Sequence, residues 1–135
     1  MGSGIALAAA LKNYKVILCD INENVLASAR ENIDKNLQLL KKKKKISAAQ
    51  KSSIAQCIAF TSGIHDCKAS IVIEAIVEKL EVKEKLFKQL ADINPAQTIL
   101  ASNTSSLSIT QIQQNIPHPQ RVAGLHFFNL AHIMK

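Results

Sequence analysis

Residues 1–20 read MGSGIALAAALKNYKVILCD. Gly2 and Gly4 open a run of small, apolar residues that carries no charge before Lys12. That pattern predicts a helix whose first turn lets another group come close, because glycine has no side chain to hold a neighbour off. Lys15 to Asp20, KVILCD, is a short apolar run ending in an acid, and it predicts a buried strand. A helix of this kind normally follows a buried strand, so the stretch also raises the question of what stands before Met1.

Working outward, Asn22 or Asn24 is placed to cap the next helix. Val25, Leu26, Ala29, Ile33, Leu37 and Leu40 recur every three or four residues and give that helix one apolar face, which runs out in the lysines 41–45. Ser47 caps a shorter helix through about Cys57. Ala59–Ser62 and Ser70–Ala75 read as strands. A helix over Lys79–Ile93 follows, with Leu80, Val82, Leu86, Phe87 and Leu90 on its stripe and Asn94-Pro95 as its stop. Thr98–Ala101 reads as a strand, Ser108–Ile116 as a short helix halted by Pro117 and Pro119, and Arg121–Phe127 as a last strand. Alternation of this kind predicts an α/β fold with a parallel sheet covered on both faces. No internal repeat or interdomain linker interrupts it.

Composition agrees. The 135 residues are 47% hydrophobic, enough for one compact domain with a core, and the absence of Trp leaves Ile, Leu, Val and Ala to fill it. The three cysteines, Cys19, Cys57 and Cys67, are odd in number and form no C-x-x-C pair. This argues against a disulfide framework or a metal site and fits reduced thiols in the cytoplasm, or in the mitochondrial matrix of a eukaryote. Ile5–Leu11 is too short to span a bilayer and lacks the basic flank of a signal peptide. The net charge of +7 owes much to Lys41–Lys45. These lysines read either as a solvated helix end or as an anion site. No aromatics interleave with them, so nucleic acid is not expected as a partner.

The opening glycines carry chemistry. In a dinucleotide-binding unit a strand leads through G-x-G-x-x-G into a helix, whose free N–H groups and positive dipole end face the pyrophosphate. Gly2 fits the third glycine, where helix and sheet pack closely. Asp20 follows at the end of the next strand, where an acid accepts the adenosine ribose hydroxyls. A carboxylate there repels a 2′-phosphate, which favours NAD over NADP. Half the glycine motif is absent, so these residues alone are a weak signal.

Three later segments sharpen the reading. VIEAIVEKLEVKEKLFKQL, ILASNTSSLSIT and RVAGLHFFN, in order and at matching spacing, resemble the NAD-binding domain of the L-3-hydroxyacyl-CoA dehydrogenases. The resemblance runs from Met1 to Lys135. It implies a Rossmann-type doubly wound parallel sheet with a helical excursion after its second strand. The implied reaction is NAD-dependent oxidation of a 3-hydroxyacyl-CoA to a 3-ketoacyl-CoA in fatty-acid or butanoate metabolism. His126 matches the family's catalytic histidine, and imidazole suits proton abstraction because it ordinarily titrates at roughly 6.5. Ser105 matches the serine that hydrogen-bonds the substrate oxygen, and Asn129 a side chain that positions substrate and nicotinamide. Asn103 is a companion in the same loop, and the resemblance sets it, with Ser105, among the cofactor-binding residues. Glu78 and Lys83 match cofactor-side contacts, although periodicity alone makes both of them surface residues of the helix. Asn36 and Lys43 fall where the family contacts CoA.

The chain also departs from that pattern. The family's opening strand has no counterpart, so the chain is expected to start inside the phosphate-binding turn and to lack the central strand of its sheet. Members continue past the equivalent of Lys135 into a glutamate that orients the histidine, then into a helical domain that closes the acyl-CoA pocket and makes a homodimer. A fragment cut at both ends, with little turnover of its own, is therefore expected. Leu130 stands where the family has proline, which loosens the turn after Asn129. The alternative is a non-catalytic remnant, or a basic module that binds CoA, nucleotide or an acidic partner through Lys41–Lys45. A narrower alternative keeps the enzyme class and changes the hydroxy acid.

Overall fold

The computed structural model describes residues 1–127, which divide into two compact units, one from Met1 to Gly63 and one from Ile64 onward. The first contains α1 (Gly2–Ala10), β1 (Val16–Cys19), α2 (Glu23–Lys42), α3 (Ala48–Gln56) and β2 (Ile58–Thr61). β1 and β2 pair in parallel, with Val16 opposite Ile58 and Cys19 opposite Thr61. α2 begins where Asn22 Oδ1 accepts the Asn24 N–H at 2.9 Å. It carries Glu23 in its first turn and Lys41 and Lys42 in its last, both favourable to the helix dipole. α3 starts on a reciprocal cap: Ser47 Oγ accepts from Gln50 N–H at 3.1 Å, and Gln50 Oε1 accepts from Ser47 N–H at 2.8 Å. Leu7, Ala10, Ile33, Leu37, Ile54 and Ile58 form the core of this unit. Leu37 is fully buried, which contributes roughly 2 kcal/mol of apolar transfer. Val25, placed on the apolar face by periodicity, is 46% exposed. The stripe of α2 is therefore narrower than the sequence pattern implied.

The second unit holds β3 (Ile71–Glu74), α4 (Leu80–Ile93), β4 (Ile99–Ser102), the short α5 (Ile109–Gln113) and β5 (Val122–Gly124). Its three strands form one parallel sheet in the order β3–β4–β5. Phe87, Leu90, Ala91, Leu100, Ile112, Ile116 and Val122 make its core. Parallel strands alternating with helices thus hold in both units, and β3 is a terminal strand of its sheet. On α4 the expected stripe needs one exchange: Val82 is 41% exposed and Lys83 is fully buried.

Two polar clamps tie this unit together. Asn94 is buried at the end of α4; its Oδ1 accepts from Ala69 N–H at 3.1 Å and its Nδ2 donates to the carbonyls of Cys67 and Leu90. Arg121, just before β5, is also buried and donates from Nη1 to Pro95 O at 2.7 Å and from Nη2 to Ala91 O at 3.1 Å. A guanidinium on the carbonyl end of α4 satisfies orphan acceptors and opposes the negative end of the dipole. Among the described residues, no helix is long and apolar enough to cross a membrane.

Candidate active site

Because the strands of each sheet are parallel, their carboxyl ends share one edge, and loops leaving that edge are where α/β sheets bind ligands. In the second unit those loops carry Glu78 after β3, Asn103 to Ser106 after β4, and His126 after β5. The last strand is shorter than its sequence suggests. It stops at Gly124, so His126 lies in the following loop and is exposed. Hydrogen bonds flank it on both sides. Leu125 N–H donates to Ser102 O at 3.0 Å, and Phe127 N–H donates to Asn103 Oδ1 at 2.7 Å. The histidine loop is thereby fastened to the segment that leads into Ser105.

Ser105 is exposed, and its backbone N–H reaches Glu78 Oε1 at 3.3 Å. The same oxygen accepts the hydroxyls of Thr104 and Ser106, the latter at 3.2 Å. Lys83 Nζ lies 3.3 Å from Glu78 Oε2. The Thr104 hydroxyl above all, then Lys83 and Ser106, hold the Glu78 carboxyl at about 2 against an opposing effect of desolvation. Glu78 is thus an anchored anion that orders the Thr104–Ser106 loop.

Lys83 differs from the surface residue that periodicity implied. It is fully buried, and its ammonium bonds both oxygens of Glu74 at 2.7 and 2.8 Å. Glu74 and Ser102, which joins the same carboxylate at 2.6 Å, escaped the sequence reading. The available signal was an acid closing the apolar run Ile71–Ile73, with a lysine on the first turn of the next helix.

Gly2, Asp20, Asn36 and Lys43 lie in the first unit. Gly2 opens α1, which has no side-chain cap and no acid in its first turn, so its leading N–H groups suit an anion. A Cβ on Gly2 would stand 3.6 Å from Leu18 Cδ1, an ordinary contact, so helix–strand packing alone does not require glycine there. Asp20 follows β1, and its Oδ1 accepts the Asn22 N–H at 2.9 Å, which leaves Oδ2 for further donors. Asn36, half-buried on α2, donates to Asn32 O at 2.8 Å. Lys43 is exposed at the end of the same helix. Nearby, Lys41, Lys44, Lys45, Ser47 and Gln50 line an open cleft of about 500 Å³. Asn129 lies outside the described residues. No group of three or more metal-ligating side chains occurs among the described residues.

Comparison with known proteins gives a consistent answer. The family model described as 3-hydroxyacyl-CoA dehydrogenase, NAD binding domain, matches residues 1–135. The chain is 44% identical to the 3-hydroxyadipyl-CoA dehydrogenase of Escherichia coli, over all of this chain and 29% of the relative. It is 41% identical to the human mitochondrial hydroxyacyl-coenzyme A dehydrogenase, over all of this chain and 45% of that protein. Among solved structures, the 3-hydroxybutyryl-CoA dehydrogenase of E. coli superposes with a TM-score of 0.97 at 44% identity, covering 100% of this chain and 29% of that one. The (S)-3-hydroxybutyryl-CoA dehydrogenase of Ralstonia eutropha gives 0.95 at 36% identity, covering 99% and 48%. The chain therefore spans less than half the length of these relatives.

Proposed function

Because the chain belongs to the NAD-binding domains of the 3-hydroxyacyl-CoA dehydrogenases, we propose that the protein carrying it oxidises (S)-3-hydroxyacyl-CoA to 3-ketoacyl-CoA. The observation that carries this reading is the pair of hydrogen bonds flanking His126, which fastens an exposed imidazole to the loop of an exposed serine. A proton acceptor and a hydroxyl donor are what alcohol oxidation needs at the reacting oxygen.

NAD, when bound, supplies the hydride acceptor. The residues of the chain do the rest. The uncapped start of α1, with Gly2, takes the pyrophosphate, and Asp20 Oδ2 takes ribose hydroxyls. At the other unit, the Ser105 hydroxyl donates to the substrate oxygen and the His126 imidazole accepts its proton. As the O–H bond breaks, its electron pair forms the C=O bond while hydride leaves the carbon. Asn129 completes the positioning of the substrate in this reading. Asn103 and Glu78 hold the loops at the cofactor side, with Lys83 behind them. Asn36 on α2 and Lys43 at its C-terminal end are assigned in this reading to CoA, Lys43 to its phosphates. The same reading makes the protein a homodimer of the cytoplasm or mitochondrial matrix whose partner molecules are 3-hydroxyacyl-CoA or 3-ketoacyl-CoA.

The test is spectrophotometric. The natural gene product should consume NADH when given a short 3-ketoacyl-CoA, and His126→Ala should abolish the reaction. Wild-type turnover by that variant would remove His126 from the chemistry.

A further inference from the structure

Glu74 closes a strand whose other residues are Ile71, Val72 and Ile73, and it is only 3% exposed. A carboxylate withdrawn from water costs several kcal/mol, on the order of 5, unless it is paired and hydrogen-bonded. Here it is saturated. Oε1 accepts from Ile76 N–H at 2.6 Å and from Lys83 Nζ at 2.7 Å; Oε2 accepts from Lys83 Nζ at 2.8 Å and from the Ser102 hydroxyl at 2.6 Å. Its backbone carbonyl takes the Asn103 N–H at 2.7 Å. One residue therefore fixes the end of β3, the turn after it, the first turn of α4 and the end of β4.

Packing does not explain the choice, since an apolar side chain fills a strand end as well and a buried ion pair adds little net stability. What an ion pair adds is direction, and two chains of bonds lead outward from this one. Through Lys83 it reaches Glu78 at 3.3 Å, and through Glu78 the Thr104 and Ser106 hydroxyls and the Ser105 N–H. Through the Ser102 hydroxyl it reaches the residue whose carbonyl takes the Leu125 N–H, while the Glu74 backbone carbonyl separately holds the Asn103 N–H, whose side chain takes the Phe127 N–H. The two chains end on the loops that carry Ser105 and His126.

We propose that Glu74, with Lys83 as its counter-ion, is a positioning residue that sets the spacing of the Ser105 and His126 loops. It touches neither substrate nor cofactor. Lys83 acts from beneath, through Glu78, because its ammonium is buried between two carboxylates. The kinetic half of this proposal rests on the dehydrogenase reading; the structural half does not.

The test compares Glu74→Gln, Lys83→Met and the double variant in the natural gene product. Removing one partner strands a buried charge or its donors, whereas removing both does not. The double variant is thus expected to unfold near the wild-type midpoint. Amide hydrogen exchange at Ser105, Ser106 and Phe127 should nevertheless rise by about tenfold or more, reporting local loosening. Turnover with NADH and a short 3-ketoacyl-CoA should fall by about tenfold or more, with KM changed less than about threefold. A double variant with wild-type exchange and wild-type kcat would reduce the pair to a structural filler and overturn the proposal. If the charge variants do not fold, Ser102→Ala decides by the same readouts, and unchanged exchange at Ser105 and Phe127 would overturn it. If the wild type shows no turnover, the dehydrogenase reading fails, and exchange at those amides alone judges Glu74.

Discussion

Asn103 Oδ1 accepts the backbone N–H of Phe127 at 2.7 Å, so a side chain leaving β4 fastens the residue that follows His126. A backbone bond from Leu125 N–H to Ser102 O at 3.0 Å holds the other flank. The sequence reading set Asn103 on the cofactor side; the structure gives its amide oxygen a partner in the histidine loop. Asn103→Ala removes the acceptor and frees one flank. We expect kcat to fall by about tenfold or more for a misplaced base, with stability lowered by only about 1 kcal/mol. Asn103→Asp keeps an acceptor oxygen and should recover part of the rate. Equal rates in Asn103→Ala and wild type would dissociate this bond from catalysis.

Arg121 makes a different kind of claim, about folding. Its guanidinium bonds the carbonyls of Ala91 and Pro95 at the end of α4, while Nε is buried with no hydrogen-bond partner among the described residues. Arg121→Met removes the donor to the Ala91 carbonyl in a buried place, while the Pro95 carbonyl keeps the Thr98 N–H at 3.0 Å. A loss of about 3 kcal/mol is expected, read as a lower denaturant midpoint at unchanged slope. Arg121→Lys keeps the charge but not the planar fork, and should fall between the two. A midpoint unmoved in Arg121→Met would show that water replaces the clamp at no cost.

Much of the architecture was legible because it rests on local rules. The run Lys15–Asp20 became β1 at Val16–Cys19, although not the buried strand expected, since Ile17 is 42% exposed, and Ser47, expected as a cap, forms a capping box with Gln50. Periodicity failed at Val25 and Val82, which lie at the margins of their stripes and face solvent. It failed more instructively at Lys83. A lysine is buried only where a partner waits, and that partner, Glu74, stands on another element nine residues earlier, outside any helical period. Gly2 and Asp20 were singled out by the glycine motif and the strand-end acid, whereas Ser105 and His126 were singled out by family resemblance alone, since exposed residues leave no hydrophobic trace. The flanking of His126 depends on contacts across 24 residues, from Asn103 to Phe127, which no local pattern encodes.

The two glycines at helix–strand contacts should respond differently to a methyl group. At Gly2 the added Cβ meets Leu18 Cδ1 at 3.6 Å, within ordinary contact, so Gly2→Ala should leave the thermal midpoint unchanged or slightly raised. At Gly124 it meets Ile109 Cγ1 at 3.1 Å and Cδ1 at 3.3 Å, so Ile109 must shift. Gly124→Ala should cost about 1 kcal/mol by overpacking. It should also slow turnover, because Gly124 ends the strand just before the His126 loop. Thermal melts of the two variants check the contrast, and equal shifts would refute it.

The Glu78 carboxyl titrates at about 2 against an ordinary value of 4.5, chiefly because the Thr104 hydroxyl donates to its charged form. The folded state therefore binds this proton less readily than the unfolded chain. Above pH 4.5 the two states are equally deprotonated here, and the contribution to stability is complete. As pH falls from 4.5 toward 2 the unfolded chain takes up the proton first, and the contribution is lost. Glu78 is partly exposed, so solvent screens the effect and its size is modest. Glu78→Gln keeps an acceptor for Thr104 but has no charge to titrate. Its denaturant midpoint should fall less steeply through this window than that of the wild type, while the two curves run parallel above it. Identical slopes would mean that the Thr104–Glu78 bond does not hold the carboxyl below its ordinary range. The Thr104–Ser106 loop would then need another anchor.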